Sequence, residues 1–359
     1  MALAWINGRF LARSLTGVDR FAGETLRALD ALLADGAALP GGLEFRLAVP
    51  PGVAPVPWLT RIPMVTVGGR AGQWWEQTSL PRHCGDDLLI NLCNTGPMWR
   101  RRQWVVIHDA ATFAVPEAYS WKFRAWYRVM IPRLFRRAAG VATVSEFSRG
   151  ELRRRFGDRS DVVVLPEGAD HIGRVEADAG VLDRHGLRGR PYVLAVSSLS
   201  PHKNFAAVVE AVRRLGTVDF DVVVAGGQNP RVFGGGEALP DFVRYVGYVS
   251  DGELAALYQN ARCFIFPSRY EGFGLPPVEA MASGCPVLAA RAASMPEVCG
   301  DAALYFDPGS PDELADGIRR VMADEALRTR LVDAARARAG QLSWRATAQA
   351  LIEHVSKVI

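Results

Sequence analysis

Two series of short, continuously apolar and β-branched runs divide this sequence, and segments of helical periodicity separate them. The first series is LAWIN, FRLAVP, LLINLC, WVVIHD, GVATVS and DVVVLPEG; the second is YVLAVSSL, FDVVVAGG, RYVGYV, CFIFPS, CPVLAA and AALYFDP. Such runs lack the alternation of a half-exposed sheet and suit parallel strands covered by helices on both faces. The stretches GVDRFAGETLRALDALLADG, SEFSRGELRRRFG, NFAAVVEAVRRLG, SDGELAALYQNA and SPDELADGIRRVMADEALRTRLVDAARARA supply those helices. Between the series, GADHIGRVEADAGVLDRHGLRGRP is polar and glycine-bearing and reads as a linker. The expected architecture is two doubly wound α/β domains, residues 1–172 and 191–340, joined by 173–190. Ligands in such sheets sit beyond the carboxyl ends of the strands, so the chemistry is sought in the loops that follow strands.

A chain of 359 residues has room for two ordinary domains, and 49% hydrophobic with 22% charged residues is a soluble globular composition. Cys84, Cys93, Cys263, Cys285 and Cys299 form no C-x-x-C pair and leave an odd count. Buried thiols in a reducing compartment fit better than disulfides or a zinc site. The opening MALAWINGRFLARSL reads as a strand that meets arginines early, not as a signal peptide. No apolar run approaches the roughly 18 residues of a membrane-spanning helix. A cytoplasmic location is expected.

The stretch RYEGFGLPPVEAMASGCPVL, from Tyr270, places Glu271 and Glu279 either side of a glycine–proline turn. CFIFPS reads as a strand and PPVEAMASG as a short helix, with Pro277 first and Gly284 as the stop. Glycines in the join let the backbone approach a ligand. Amides of Phe273, Gly274, Leu275, Val278 and Glu279 would then form an anion-binding concavity at a helix N-terminus. The carboxylates would repel a phosphate, so they are better used to accept hydrogen bonds from vicinal diols. A polyol, phosphates and a second polyol in succession describe a nucleotide sugar.

The longer string SRYEGFGLPPVEAMASGCPVLAARAASMPEVCGDAALYFDP closely resembles the signature of retaining family 4 glycosyltransferases with the GT-B fold. The resemblance extends to NGRFLARSLTGVDRFAGE, VIHDAATF, ATVSEFSRGEL, YVLAVSSLSPHKN, VGYVSDGELAALY and LSWRATAQALIEHV, in similar order. It implies a donor site between two Rossmann-like domains and a terminal helix, 341–359, that returns to the first. It also implies that Glu279 binds the ribose diol and Glu271 contacts the transferred sugar. Phe273, Gly274 and Leu275 would lie near the sugar and diphosphate.

Lys203, in SSLSPHKN, follows a strand and is expected to place a point charge on the leaving diphosphate. Family members often have glycine where Ser197 stands and a basic residue where His202 stands. Some members also carry an arginine upstream, which Ser197 and Ser198 lack; Ser198 stands as a donor-binding candidate. Arg9 or Arg20 could then supply a second cation. Gly17 is expected at a helix start after the first strand, near donor or acceptor, with Thr16 as its cap. His108 and Asp109 end a strand at the ligand-facing edge and are assigned to sugar contact or proton transfer. Ser145 reads as an N-cap. Tyr248 is the nearest aromatic to a nucleobase. Asp219-Phe220-Asp221 is a D-x-D, but it lies at the amino end of a strand, away from ligand, so no metal is expected.

No G-x-G-x-x-G follows a strand and no G-x-x-x-x-G-K-[ST] is present, which excludes a nicotinamide oxidoreductase and a P-loop NTPase. A nucleotide-sugar epimerase or hydrolase on the same fold stays open, as does a non-catalytic sugar-nucleotide sensor. The expected reaction moves a hexose, first mannose from GDP-mannose by resemblance to polysaccharide mannosyltransferases, to a saccharide hydroxyl with retention and without a cofactor.

Net charge is +4 and lies unevenly: residues 1–170 hold 22 Lys/Arg against 16 Asp/Glu, the remainder 20 against 22. SWKFRAWYRVMIPRLFRRA interleaves aromatics with Arg133, Arg136, Arg137 and other cations. Such a surface suits the anionic inner face of a membrane and a lipid-linked acceptor. No recognition motif for nucleic acid accompanies it.

Overall fold

The computed structural model describes residues 2–196, 200–226 and 240–358. The chain divides into two compact units: Met1–Glu167 with Trp344–Ile359, and Gly168–Ser343. The first unit holds strands β1 (Leu3–Asn7), β2 (Glu44–Val49), β3 (Met64–Thr66), β4 (Leu88–Asn91), β5 (Gln103–Val106), β6 (Gly140–Thr143) and β7 (Val162–Val164). They form one parallel sheet in the order β3-β2-β1-β4-β5-β6-β7. The second unit holds β8 (Tyr192–Val196), β9 (Asp221–Ala225), β10 (Val243–Gly247), β11 (Cys263–Phe266), β12 (Val287–Ala290) and β13 (Ala303–Phe306). Its parallel order is β10-β9-β8-β11-β12-β13. Both sheets are doubly wound, with the order reversing beside their first strand.

Every apolar run of the sequence carries a strand, and LAWIN is β1 residue for residue. β3 had no counterpart among the expected runs. It is a three-residue edge strand that is only partly covered, so little apolar signal marks it. Helices cover the sheets through apolar stripes. Val208, Ala211 and Val212 of helix Phe205–Leu215 join Leu314, Ile318 and Val321 of helix Pro311–Ala323 over β8, β9 and β12. In the first unit, Met130, Ile131, Leu134 and Phe135 of helix Trp121–Arg137 pack on Val105 and Val141. A Cβ on Gly140 would fall 2.0 Å from the Trp104 ring, so glycine is what lets that tryptophan bury between β5 and β6.

The expected limits change. The units part after Glu167, not at 172, and the second ends at Ser343, not at 340. The stretch 173–190 is no free connector: it contains helix Gly180–Arg184, buries Val181, Leu182 and Leu187, and bonds Asp178 N to Gly252 O at 2.9 Å. Its polar residues face out while three apolar ones dock on the second unit. The long helical stretch from Ser310 breaks at Asp324, whose side chain accepts from Leu327 N at 2.9 Å and caps a new helix, Glu325–Ala339. The terminal helix Trp344–Ser356 belongs to the first unit. Trp344 is buried there edge-on to Phe21 at 5.8 Å, and Thr347 Oγ1 donates to Pro166 O.

Candidate active site

In the second unit β8 and β11 are neighbours at the point where the strand order reverses. The loop after each carries one of the charged candidates. After β8 the chain makes a turn at Pro201–Lys203, and Asn204 takes a left-handed conformation, φ 58°. Asn204 Nδ2 donates to Pro267 O at 3.2 Å and Pro308 O at 3.0 Å, tying this turn to the loop after β11. Arg269 N donates to His202 O at 2.8 Å and completes the join. Lys203 and Glu271 therefore meet: Nζ lies 2.6 Å from Oε1, both side chains partly buried. Ser294, which sequence reasoning passed over, shares its one hydroxyl proton between the carbonyls of Phe273 at 2.9 Å and Glu271 at 3.1 Å and ties the loop down.

Gly274 explains the turn itself. Its φ is +99°, and a Cβ there would strike Met295 Cε at 2.3 Å. Only glycine fits. It caps helix Leu275–Ala282, which begins two residues before the expected start at Pro277. Pro276 and Pro277 occupy the first turn, where a missing N–H costs nothing. The shift removes Val278 from the amide donors. Its N–H, like that of Glu279, closes the helical ladder, and its side chain is buried. Gly274 and Leu275 remain as the donors outside the ladder, with Phe273 buried beside them. Gly284, φ +74°, stops the helix as expected.

Glu279 is 5% exposed. Its Oε1 lies 2.9 Å from His171 Nε2, and its Oε2 accepts from Tyr258 OH at 3.2 Å. Neither partner was singled out in the sequence. His171 sits in a stretch that reads as linker, and Tyr258 looks like an ordinary core position of an amphipathic helix. Tyr248 stands 76% exposed after Gly247, at the carboxyl end of β10. Ser198 lies outside the described residues.

The first unit presents Gly17, His108 and Asp109. Gly17 opens helix Gly17–Ala34, capped by Thr16 in a reciprocal box with Asp19. His108 follows β5 and is buried: Nε2 is 2.9 Å from Leu92 O, and the ring meets Phe21 edge-on at 4.7 Å. Asp109 Oδ1 accepts from Ala111 N at 2.8 Å. Ser145 is an N-cap, accepting from Ser148 N at 3.0 Å. Arg9 is no spare cation. It is buried, 3.2 Å from Glu76 Oε1, and donates to Thr95 Oγ1 at 2.9 Å.

Asp221 of the D-x-D starts β9, is buried, and pairs with Arg190 and Arg244 at 2.7 and 2.6 Å. Among the described residues no trio of His, Cys, Asp or Glu gathers as a metal site. All five cysteines are free; burial pushes the Cys84, Cys263 and Cys299 thiols up to about 12.

On helix Trp121–Arg137 the aromatics divide. Phe135 is in the core and Trp126 and Tyr127 pack against it, while Trp121 and, outside the helix, Trp99 stand 71% and 68% exposed. Arg133 and Arg137 stack over Trp99 at 5.3 and 5.8 Å, and Arg136 donates to Phe156 O at 3.0 Å. No helix of the described residues is long and apolar enough to cross a membrane.

The model of the family "Glycosyl transferases group 1" matches residues 183–338. O-antigen chain mannosyltransferase B of Escherichia coli is 34% identical over 262 residues, 68% of this chain and 67% of that protein. The chain belongs to the group 1 glycosyltransferases. Serotype-specific mannosyltransferase WbdA of Escherichia coli is 27% identical over 71% of the chain, which spans only a third (33%) of WbdA's length. Among solved structures, sucrose-phosphate synthase from Thermosynechococcus elongatus superposes with a TM-score of 0.74 at 18% identity, covering 98% of this chain and 97% of that one. The fold of this glycosyltransferase is thus GT-B, two parallel-sheet Rossmann-like units.

Proposed function

We propose that this glycosyltransferase moves a hexose from a nucleoside diphosphate sugar to a saccharide hydroxyl with retained anomeric configuration, mannose from GDP-mannose being the first donor to test. The mannosyltransferase names of its relatives support the sugar. The meeting of Lys203 and Glu271 beside the Gly274 turn carries the reading. An ammonium has three donors, and Glu271 takes one, so two remain for phosphate oxygens. The Gly274 and Leu275 amides add uncharged donors at a helix N-terminus. Charge developing on the departing diphosphate is then met by groups already oriented. Glu271, fixed by the lysine, keeps lone pairs for sugar hydroxyls. Glu279 takes the ribose. Glu271, the one carboxylate of the E-G-F-G loop, is held by Lys203 and read as an acceptor for sugar hydroxyls rather than a nucleophile, which favours attack on the face the diphosphate leaves, with a phosphate oxygen receiving the acceptor's proton.

In this reading the enzyme uses neither metal nor cofactor. The acceptor is lipid-linked, and the stacked Arg133–Trp99–Arg137 surface rests on the anionic inner face of a membrane in surface polysaccharide synthesis. Incubation with GDP-mannose, UDP-glucose or another donor that raises the melting temperature, plus a mannose-terminated acceptor, tests it. Proton NMR of the fresh product should show the donor's anomeric configuration. An inverted linkage sinks the retaining assignment, and donor binding without transfer to any saccharide points instead to a sensor.

A further inference from the structure

The carboxylate of Glu279 is fixed at both ends. His171 Nε2 holds Oε1 and Tyr258 OH holds Oε2, at 2.9 and 3.2 Å. All three residues are buried, His171 at 3% and Tyr258 at 0% exposure. They come from separate places in the second unit. His171 precedes the turn Ile172–Arg174, Tyr258 lies near the end of helix Asp251–Asn260, and Glu279 is on helix Leu275–Ala282. Tyr258 is itself locked, its ring edge-on to Phe264 of β11 at 5.4 Å.

A buried carboxylate without donors is costly, and these two satisfy one lone pair on each oxygen. A carboxylate accepts at about four sites, so roughly one per oxygen is left. Because both oxygens are held, the direction of the remaining pair is set by His171 and Tyr258, not by free rotation of a glutamate. Burial, then the neighbouring Glu279 charge, raises the Tyr258 hydroxyl well above its ordinary pKa, so it stays a donor.

We propose that His171 and Tyr258 are positioning residues that make Glu279 a fixed, acceptor-only fork for the donor's ribose diol, and that they set the preference for a ribonucleotide over its 2′-deoxy form. The inference rests on the donor reading above. A site built around a substrate hydroxyl rejects the analogue lacking it, because buried polar groups are left unpaired. That penalty needs a carboxylate unable to turn elsewhere. A loose Glu279 would rotate to water and lose the discrimination.

The test uses the full chain and calorimetric titration with GDP, UDP and ADP and their 2′-deoxy forms. Wild type should prefer the ribo form of its nucleotide by about 10- to 100-fold, the worth of one hydrogen bond to a charged group. His171→Leu and Tyr258→Phe should each cut that ratio to about threefold or less. They do so by weakening the ribo form while the deoxy form changes little, and activity falls through KM for the donor rather than kcat. His171→Gln, which keeps a donor, should restore most of the ratio. Tyr258→Phe removes only a hydroxyl, so it decides the matter if His171→Leu fails to fold. An unchanged ratio in folded variants, or equal weakening of both nucleotides, makes these residues packing only and overturns the inference while the donor reading stands. A wild type that binds no nucleoside diphosphate overturns both.

Discussion

Lys203 and Glu271, 68 residues apart, form an ion pair of 2.6 Å between the loops that follow two neighbouring strands. The pair is partly buried, so each charge depends on the other for compensation. Lys203→Ala should lower kcat/KM by about 10²–10³-fold, and Glu271→Gln by about 10²-fold, as losses of transition-state stabilisation. The double variant should fall well short of the product of the two, since residues in contact couple. Steady-state kinetics on all three proteins decides it; multiplicative losses would mean the two act separately.

Gly17 has no steric reason of its own to be glycine. A Cβ at that position meets nothing within 4 Å. Alanine is the better helix former by up to about 1 kcal/mol, so Gly17→Ala should melt at the same temperature or higher. It should also lose about tenfold in kcat/KM if a substrate passes close to the backbone there. Full activity would leave Gly17 as a plain helix start.

The exposed Trp99 beneath Arg133 and Arg137 gives the membrane reading a defined surface. Flotation with anionic vesicles should succeed at low salt and weaken as ionic strength rises. Charge reversal at Arg133, Arg136 and Arg137 should weaken it further, each cation near the lipid contributing about 1 kcal/mol. Because Arg136 also bonds Phe156 O, melting curves must accompany the triple variant. No binding at low salt would end this part of the proposal and leave the transferase untouched.

Activity should persist in EDTA, because Lys203 and loop amides are assigned the diphosphate charge. Loss in EDTA with recovery on adding manganese would contradict that assignment.

Asp30 bears on stability alone. Burial pushes its carboxyl up, but donors from Thr60 N at 2.8 Å, Arg61 N at 2.7 Å, Ile62 N at 2.8 Å and Thr60 Oγ1 at 2.9 Å outweigh it, leaving the pKa below the ordinary value. A depressed folded pKa gives stability that is present above the unfolded value of about 3.9 and lost as pH falls through the folded one. Asp30→Asn should therefore cost about 1.5–3 kcal/mol at pH 7, and the difference should shrink below about pH 4. Urea melts at both pH values read it.

Most strands were legible because their apolar runs are uninterrupted, and six of them, β4, β5, β6, β9, β11 and β12, are buried along their whole length. The Gly274 turn was legible because its φ of +99° strongly favours glycine. Helix starts were less so. Two prolines fit any position in a first turn, which put the start of helix Leu275–Ala282 two residues late and added Val278 to the donors.

The amino-acid order thus determined the two doubly wound sheets and placed Lys203, Glu271 and Glu279 in or after loops at strand ends, since local periodicity and glycine conformation depend on neighbours in sequence. Tertiary structure alone decided that Lys203 meets Glu271, that His171 and Tyr258 grip Glu279, and that Arg9 is spent on Glu76. These are contacts between polar atoms far apart in the chain. A histidine in a polar stretch and a tyrosine on an amphipathic helix look the same whether or not a buried carboxylate lies opposite, so only the folded chain distinguishes them.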